Sequence, residues 1–276
     1  MNTELIRKEC GKLLGKVRRT VPLIHHITNY VTVNDCANIT LAIGASPIMA
    51  DAPEEAADIT AISSALVLNM GTLNSRTVES MLISGKKANE KGLPVIFDPV
   101  GAGASPFRNQ MAERILREVN VDVLRGNISE IRFIAGLQSE TKGVDASLVD
   151  MEGGEAPNIA RDLAGNMGCV VAITGAVDAI SDGSHTLCVK NGNPAMSGIT
   201  GTGCMCSSLI GSFCGIGEGS LLTATIAGIL CMGIAGEISF TRERMSGNGN
   251  LRIGIINAVS LMDADILTGK AELYEA

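Results

Sequence analysis

The sequence predicts an α/β protein in which helices cover both faces of a central, mostly parallel sheet. Short aliphatic runs alternate along the 276 residues with longer helical patterns, which is typical of strand-helix-strand units. The runs are apolar at successive positions, as expected of strands that are buried on both faces. Apolar residues make up 46% of the chain and aromatic residues only 3%, so the predicted core consists of closely packed aliphatic layers.

Each element follows from a local pattern. A stripe of apolar residues predicts a first helix over residues 4–19, and similar patterns predict helices over 75–91 and 107–119. Six aliphatic runs predict the strands of the parallel part of the sheet, at 23–27, 47–49, 65–68, 94–97, 121–124 and 170–173.

The second half of the chain differs from the first. Asp182-Gly183 between two short apolar runs predicts a hairpin, and therefore an antiparallel edge of the sheet. After Gly201 we expect the strands to end and three helices to follow. The polar segment 143–157 is expected to be a surface loop, and the absence of a linker predicts a single domain over residues 1–276.

Charge and composition favour a small-molecule ligand. The net charge is -7 and there is no run of Lys or Arg, which argues against nucleic acid or an anionic membrane as a partner. The uncharged segments 191–217 and 219–236 are interrupted by Gly, Ser and Thr, so they predict buried helices rather than membrane spans. Eight cysteines without a CxxC pair, and no secretory signal, predict reduced thiols in a cytoplasmic protein.

The most informative segment is Gly201-Thr202-Gly203-Cys204, which opens an apolar helical stretch. Glycines at a helix start let the backbone approach an anion closely, and the free N–H groups of the first turn then point at it. This reading makes Gly201, Thr202 and Gly203 an anion hole. The same residues also suit a Gly-rich helix start that packs against a neighbour, with Cys204 as a small apolar residue, and the segment alone leaves both readings open.

Polar residues follow each aliphatic run. In open α/β sheets ligands bind beyond the carboxyl ends of the strands, so a carboxylate, a guanidinium, amides and hydroxyls are expected to converge there. Such a set beside an anion hole is typical of a phosphate-handling site with a divalent cation. The segments are Thr28-Asn29, Asp51, 69–71, 98–101, 125–127 and Thr174-Gly175.

Three other motifs are rejected. The glycines Gly11 and Gly15 are too close for a P-loop. Gly101-Ala102-Gly103 begins like a dinucleotide fingerprint, but Pro106 stands where the third glycine belongs. Neighbouring side chains of a strand point to opposite faces, so His25 and His26 cannot both face one metal ion. Structural or substrate-lining histidines are therefore favoured over a metal site.

Five motifs, taken together and in order, resemble the hydroxyethylthiazole kinases of thiamine salvage. They lie at residues 26–31, 44–55, 98–102, 125–131 and 201–204, and the similarity spans about residues 21 to 215. The most specific of them is Ser-Pro-x-Met-Ala-Asp-x-Pro-Glu-Glu at 46–55, because it is not a generic signal of the fold.

The resemblance implies a ribokinase-like fold and transfer of the γ-phosphoryl group of ATP to the primary alcohol of 4-methyl-5-(2-hydroxyethyl)thiazole. It also implies Mg²⁺ as cofactor and a homotrimer with sites near the subunit contacts. The implied roles are thiazole contact for Met49, Gly201 and Asn29; ATP binding for Arg125 and Thr174; magnesium binding for Asp98 and Glu130; and catalysis for Cys204, where sugar kinases of this fold carry an Asp.

Other functions remain open at this stage. A kinase of the same fold for hydroxymethylpyrimidine or a sugar, or an ADP-linked hydrate dehydratase, would share most of these motifs. A non-catalytic nucleotide-binding module is disfavoured by the presence of both Asp98 and Glu130. Met49, Ile48 and Val31 favour an apolar ring over a sugar. Cys204 is either a base, with a pKa lowered by the helix N-terminus, or a wall of the site.

Overall fold

The computed structural model describes residues 2–137, 154–243 and 246–276. Within these ranges nine strands form one sheet in the order β2-β1-β3-β4-β5-β6-β7-β8-β9. Strands β1 to β6 pair in parallel, and β7, β8 and β9 add an antiparallel edge. The strands are β1 (Leu23–Ile27), β2 (Ser46–Met49), β3 (Ala65–Asn69), β4 (Val95–Asp98), β5 (Val123–Asn127), β6 (Val170–Thr174), β7 (Asp178–Ser181), β8 (Thr186–Val189) and β9 (Leu273–Glu275).

The helices cover both faces of the sheet. They are α1 (Thr3–Thr20), α2 (Val33–Ile43), α3 (Pro53–Ala61), α4 (Ser75–Lys91), α5 (Pro106–Glu118), α6 (Ile128–Ile134), α7 (Ala156–Met167), α8 (Thr202–Cys214), α9 (Leu221–Glu243), α10 (Gly247–Leu261) and α11 (Ala264–Lys270). One hydrophobic cluster joins the sheet to α1, α2 and α8 to α11, and a second joins the opposite face to α4 to α7. The predicted two-sided α/β fold is therefore confirmed.

The six predicted parallel strands all form, with ends that differ from the expectation by at most three residues. Continuous apolar runs are a strong signal because these strands are buried on both faces; β3 and β4 are buried throughout. The predicted hairpin around Asp182-Gly183 joins β7 and β8.

Two expectations for the rest of the chain were wrong. Three helices and no strand were expected after Gly201, but four helices and the strand β9 follow it. The strand forms by pairing with β8 at the edge of the sheet, and its three residues are too few to give a periodic signal in the sequence. The segment 143–157 was expected to be a loop, but helix α7 begins at Ala156. Residues 143–153 lie outside the described part of the chain.

Buried helices form over residues 202–214 of the first uncharged segment and over most of the second, as predicted, whereas residues 194–198 form a short 3-10 helix without a buried residue. Helix α9 is long and apolar enough to cross a membrane by composition alone, but 78% of its most apolar window is buried inside the fold. Helix α8 packs between α9 and the strands β1, β3 and β4. This packing brings the N-terminus of α8 to the carboxyl edge of the parallel strands, where the predicted site residues are found.

Candidate active site

Helix α8 begins with a turn that only glycine can form. Gly201 has a φ of +90°, and a Cβ atom there would lie 2.6 Å from Thr32 Cγ2. A Cβ atom on Gly203 would lie 2.7 Å from Arg125 Nη1. No side chain caps this helix, so the N–H groups of its first turn are available to an anion. The anion hole stays a prediction, now with a defined place beside Arg125.

Asp98 is the fully buried last residue of β4. Its Oδ2 atom accepts hydrogen bonds from Asn69 Nδ2 at 2.9 Å and Ser207 Oγ at 2.8 Å, and Arg125 Nη1 lies 3.4 Å away. Its Oδ1 atom is buried and has no hydrogen-bond partner among the described residues. A buried carboxylate oxygen without a donor is costly unless a cation or another ligand meets it.

The two residues predicted to bind ATP contact each other. Arg125 lies in β5 and Thr174 ends β6, and Arg125 Nη2 donates a hydrogen bond to Thr174 Oγ1 at 2.5 Å. The Arg125 side chain is only 12% exposed. Its guanidinium therefore joins the carboxyl ends of β4, β5 and β6 and places a positive charge beside the start of α8.

Cys204 Sγ accepts hydrogen bonds from two amides, Asn29 Nδ2 at 3.3 Å and Asn69 Nδ2 at 3.4 Å. Burial, followed by the charge of Asp98, raises the pKa of the Cys204 thiol above its ordinary value, and the hydrogen bonds and Arg125 offset this only in part. The expected lowering of this pKa by the helix N-terminus is outweighed. The thiol is therefore mainly protonated at neutral pH.

Asn29 and Asn69 form an amide pair that the sequence did not predict. Asn29 Oδ1 accepts hydrogen bonds from the N–H and Oγ1 of Thr32, and Asn29 Nδ2 donates to Asn69 Oδ1 at 2.9 Å. Asn29 also lies next to Cys204, and these bonds already occupy its amide. Its contact with a ligand stays a prediction.

Glu130 has a clear local role. Its Oε2 atom accepts from Asn127 N at 2.8 Å while Asn127 Oδ1 accepts from Glu130 N, which is a capping box at the start of α6. Its Oε1 atom accepts from Gly101 N at 2.8 Å. Burial, and next the charge of Asp98, raise the pKa of Glu130 to about 7. The spacing of the Asn-x-x-Glu pattern could have indicated this cap from the sequence.

The described residues contain no cluster of three or more His, Cys, Asp or Glu side chains suited to a metal ion. Magnesium in phosphate-transferring sites usually takes one or two carboxylates and completes its shell with phosphate oxygens and water. The unpartnered Oδ1 of Asp98 fits such an ion. Glu130 fits less directly, because each of its oxygens already accepts a backbone hydrogen bond.

Met49 is the remaining predicted thiazole contact. It ends β2, the outermost parallel strand, opposite His26 of β1, and is half-buried. His25 and His26 are buried, and His25 bonds Thr60 Oγ1 and the Ala50 carbonyl, which agrees with structural histidines.

Asn69 was predicted only as one of the polar residues at the strand ends, without its partners, and two further residues of this region were missed from the sequence. Ser207 lies inside an uncharged helix and reaches Asp98 across 109 positions of the chain. Arg108 belongs to no motif and contacts the loops that follow β3 and β4.

The two-sided α/β fold, with polar side chains gathered at the carboxyl ends of its parallel strands, is shared with solved structures of small-molecule kinases. A structure titled as the pyridoxal kinase from Staphylococcus aureus in complex with AMP-PCP and pyridoxal superimposes with a TM-score of 0.61 over 93% of this chain and 100% of that chain. The two sequences are 14% identical, so this likeness shows the fold alone.

The sequence comparisons are more specific. The chain belongs to the hydroxyethylthiazole kinase family, whose profile matches residues 14–265. It is 57% identical to the hydroxyethylthiazole kinase of Ruminiclostridium cellulolyticum over 97% of this chain and 98% of that protein, and 58% identical to that of Clostridium beijerinckii over 96% of both. The hydroxyethylthiazole kinase structure from Pyrococcus horikoshii superimposes with a TM-score of 0.88 at 36% identity, over 98% of this chain and 99% of that chain.

Proposed function

We propose that this protein transfers the γ-phosphoryl group of ATP to the primary hydroxyl of 4-methyl-5-(2-hydroxyethyl)thiazole in thiamine salvage. The observation that carries the proposal is the hydrogen-bonded cluster of Asp98, Arg125 and Thr174 beside the uncapped start of α8. Membership of the hydroxyethylthiazole kinase family supports the choice of acceptor.

The proposed nucleotide contacts follow from charge. Arg125 and Thr174 hold the phosphates of ATP, and the first-turn N–H groups from Gly201 to Cys204 face the group that is transferred. Phosphoryl transfer passes through a loose transition state, so positioning and charge stabilisation supply most of the rate. The Arg125 guanidinium and the N-terminus of α8 provide positive charge at one place.

Asp98 and Glu130 would hold Mg²⁺, which supplies charge neutralisation of the phosphates when bound. Asp98 would offer its unpartnered Oδ1 atom to the ion, and Glu130 would offer the lone pairs that its backbone hydrogen bonds leave. The hydrogen bonds from Asn69 and Ser207 to Oδ2 orient the Asp98 carboxylate.

The thiazole would lie between Met49, Asn29 and Gly201, with its hydroxyethyl group toward Cys204. Met49 offers an apolar contact that suits the ring. Cys204 is the proposed acceptor of the hydroxyl proton. Because the transition state is loose, this proton leaves late, and a group that is only partly deprotonated at neutral pH still serves.

A coupled assay of ADP formation tests the function. Hydroxyethylthiazole should stimulate ADP formation far more than ribose or hydroxymethylpyrimidine, and mass spectrometry should find the phosphate on the thiazole alcohol. A reaction without acceptor is the control for ATP hydrolysis. If ribose or hydroxymethylpyrimidine is the best acceptor, the assignment of hydroxyethylthiazole as the substrate is wrong. If no alcohol stimulates the reaction, the function is instead that of a hydrate dehydratase or of a non-catalytic nucleotide-binding module.

A homotrimer in the cytoplasm belongs to the same proposal. Large apolar side chains are exposed around α2, among them Tyr30 at 78%, Val31 and Leu41, which suits a subunit contact next to the proposed thiazole site. The eight cysteines are all free thiols, as expected in a reducing compartment.

A further inference from the structure

Arg108 connects two loops at the edge of the proposed active site. It lies in the first turn of α5, where its N–H donates to the Ser105 hydroxyl that caps the helix. Its guanidinium donates to three main-chain carbonyl oxygens: Met70 O at 2.5 Å, Val100 O at 2.6 Å and Gly71 O at 2.6 Å.

These carbonyls belong to the loops that leave the adjacent strands β3 and β4. Asn69 ends β3 and Asp98 ends β4, and the two residues are paired in register. Each lies within two positions of a carbonyl that Arg108 holds. One side chain therefore joins the two stretches of backbone whose side chains make the Asn69–Asp98 hydrogen bond.

Gly101 shows how closely this connection is built. It has a φ of +76°, and a Cβ atom on it would lie 3.0 Å from Arg108 Cδ. Its N–H donates to Glu130 Oε1 at 2.8 Å. The loop after β4 is thus held on one side by the guanidinium and on the other by the carboxylate that caps α6.

Ion pairing does not explain Arg108. Among residues 2–137, 154–243 and 246–276, no carboxylate lies within ion-pairing distance of its guanidinium. The planar fork of arginine directs several hydrogen bonds at once, whereas lysine is a point charge on a flexible stem. Only the planar, forked guanidinium group of arginine can donate to these three carbonyl oxygens at once.

We propose that Arg108 is a positioning residue for phosphoryl transfer, which aligns Asn69 with Asp98 by tying together residues 69–71 and 98–101. This inference rests on the proposed function only for its kinetic consequence. Small misplacements of reacting groups cost a large part of the rate. Because the proposed thiazole contacts lie on other segments, whereas Asp98 would hold the metal of Mg-ATP, kcat should fall while the KM for the thiazole stays near that of the wild type.

The experiment compares Arg108→Ala, Arg108→Lys and the matched control Arg117→Ala, whose side chain on the same helix is 71% exposed. Arg108→Ala should lower kcat by roughly 10- to 100-fold, and Arg117→Ala should leave it unchanged. Guanidinium at concentrations far below those that denature should restore part of the kcat of Arg108→Ala, whereas urea should not. Arg108→Lys should stay impaired because it keeps only the charge.

Hydrogen exchange provides a readout that does not depend on activity. The amides of Met70 and Gly71 donate hydrogen bonds to Asp98 O and Asn69 Oδ1, and the amide of Gly101 donates to Glu130 Oε1. All three amides should exchange faster in Arg108→Ala or Arg108→Lys while α7 keeps its protection. Unchanged exchange in both loops overturns the proposal, whatever the substrate is.

The kinetic results separate the two proposals. A wild-type protein without thiazole-dependent ADP formation rejects the function, and the exchange experiment then still decides the role of Arg108. If the wild type is active and the Arg108→Ala variant folds and has the same kcat, only the proposed role of Arg108 is rejected. If Arg108→Ala does not fold, a folded Arg108→Lys with wild-type kcat gives the same rejection.

Discussion

The amide nitrogen of Asn29 donates a hydrogen bond to the sulfur of Cys204 over 3.3 Å. Asn69 donates a second one to the same sulfur. Two amide donors from two different strand ends therefore meet at residue 204, at the start of α8. They favour negative charge there, while burial and Asp98 oppose it and raise the pKa of the thiol. The balance between these effects decides whether position 204 works as a base.

Substitution of Cys204 tests this balance. If Cys204 takes the proton of the attacking hydroxyl, Cys204→Ala should lower kcat by roughly 10² or more and leave thiazole binding nearly unchanged. Cys204→Asp should retain or improve turnover, since the two amides can hold a carboxylate. With the wild type, kcat should rise as pH rises above neutrality, because only the thiolate is a base and its pKa is raised.

Cys206→Ala is the matched control, because Cys206 is buried in the same helix. A packing role for Cys204 gives the opposite pattern: Ala is tolerated, while Asp places a charge in a buried site and lowers the melting temperature. Measurements of kcat and melting temperature for all three variants separate the roles. A Cys204→Ala enzyme with wild-type kcat excludes the base.

Glu130→Gln should raise the Mg²⁺ concentration needed for half-maximal rate. The amide of Gln can still accept the hydrogen bond from Gly101 N or Asn127 N through its oxygen, but it loses the charge that attracts the cation. Circular dichroism should show an intact fold. A magnesium titration identical to that of the wild type would remove Glu130 from the metal site and leave it as the cap of α6.

The pH dependence of stability should report on Asp178. Burial raises the pKa of this carboxyl to about 7, above its value in the unfolded chain, so the folded protein holds the proton more tightly. Its contribution to stability is therefore complete below the unfolded pKa and is lost as pH rises to about 7.

Asp178→Asn removes this titration, and the carboxamide oxygen can still accept the hydrogen bond from Gly175 N that Asp178 accepts. Urea unfolding from about pH 4 to pH 8 should show a smaller loss of unfolding free energy for the Asp178→Asn variant than for the wild type. Asp162→Asn, at an exposed carboxylate on α7, should follow the wild type. Parallel curves for Asp178→Asn and the wild type would show that Asp178 does not titrate in this range.

The oligomeric state is measurable directly. Light scattering at micromolar concentration should give about three times the chain mass of 28.6 kDa. Leu41→Glu, at a side chain that is 59% exposed on α2, should shift the protein toward the monomer if this face is the contact. A fully active wild-type monomer would contradict the trimer.

The parallel strands could be predicted because each carries its own signal. Residues 65–68 and 170–173 are apolar at every position, since both faces of these strands are covered. The strand β9 could not be predicted, because it forms only by pairing with β8 from a distant part of the chain. The start of helix α7 was missed because proline is common both in loops and in the first turn of helices, so Pro157 did not distinguish the two.

By itself the sequence determined the fold class, the family resemblance and the residue types at the strand ends and at the start of α8, because these depend on local order along the chain. Only the tertiary structure decided that Asn69 and Ser207 share one oxygen of Asp98 and that Arg108 joins the two loops beside it. It also decided the direction of the Cys204 pKa. Hydrogen bonds across many positions and the burial of a charge depend on how distant segments pack, and no local pattern in the sequence records them.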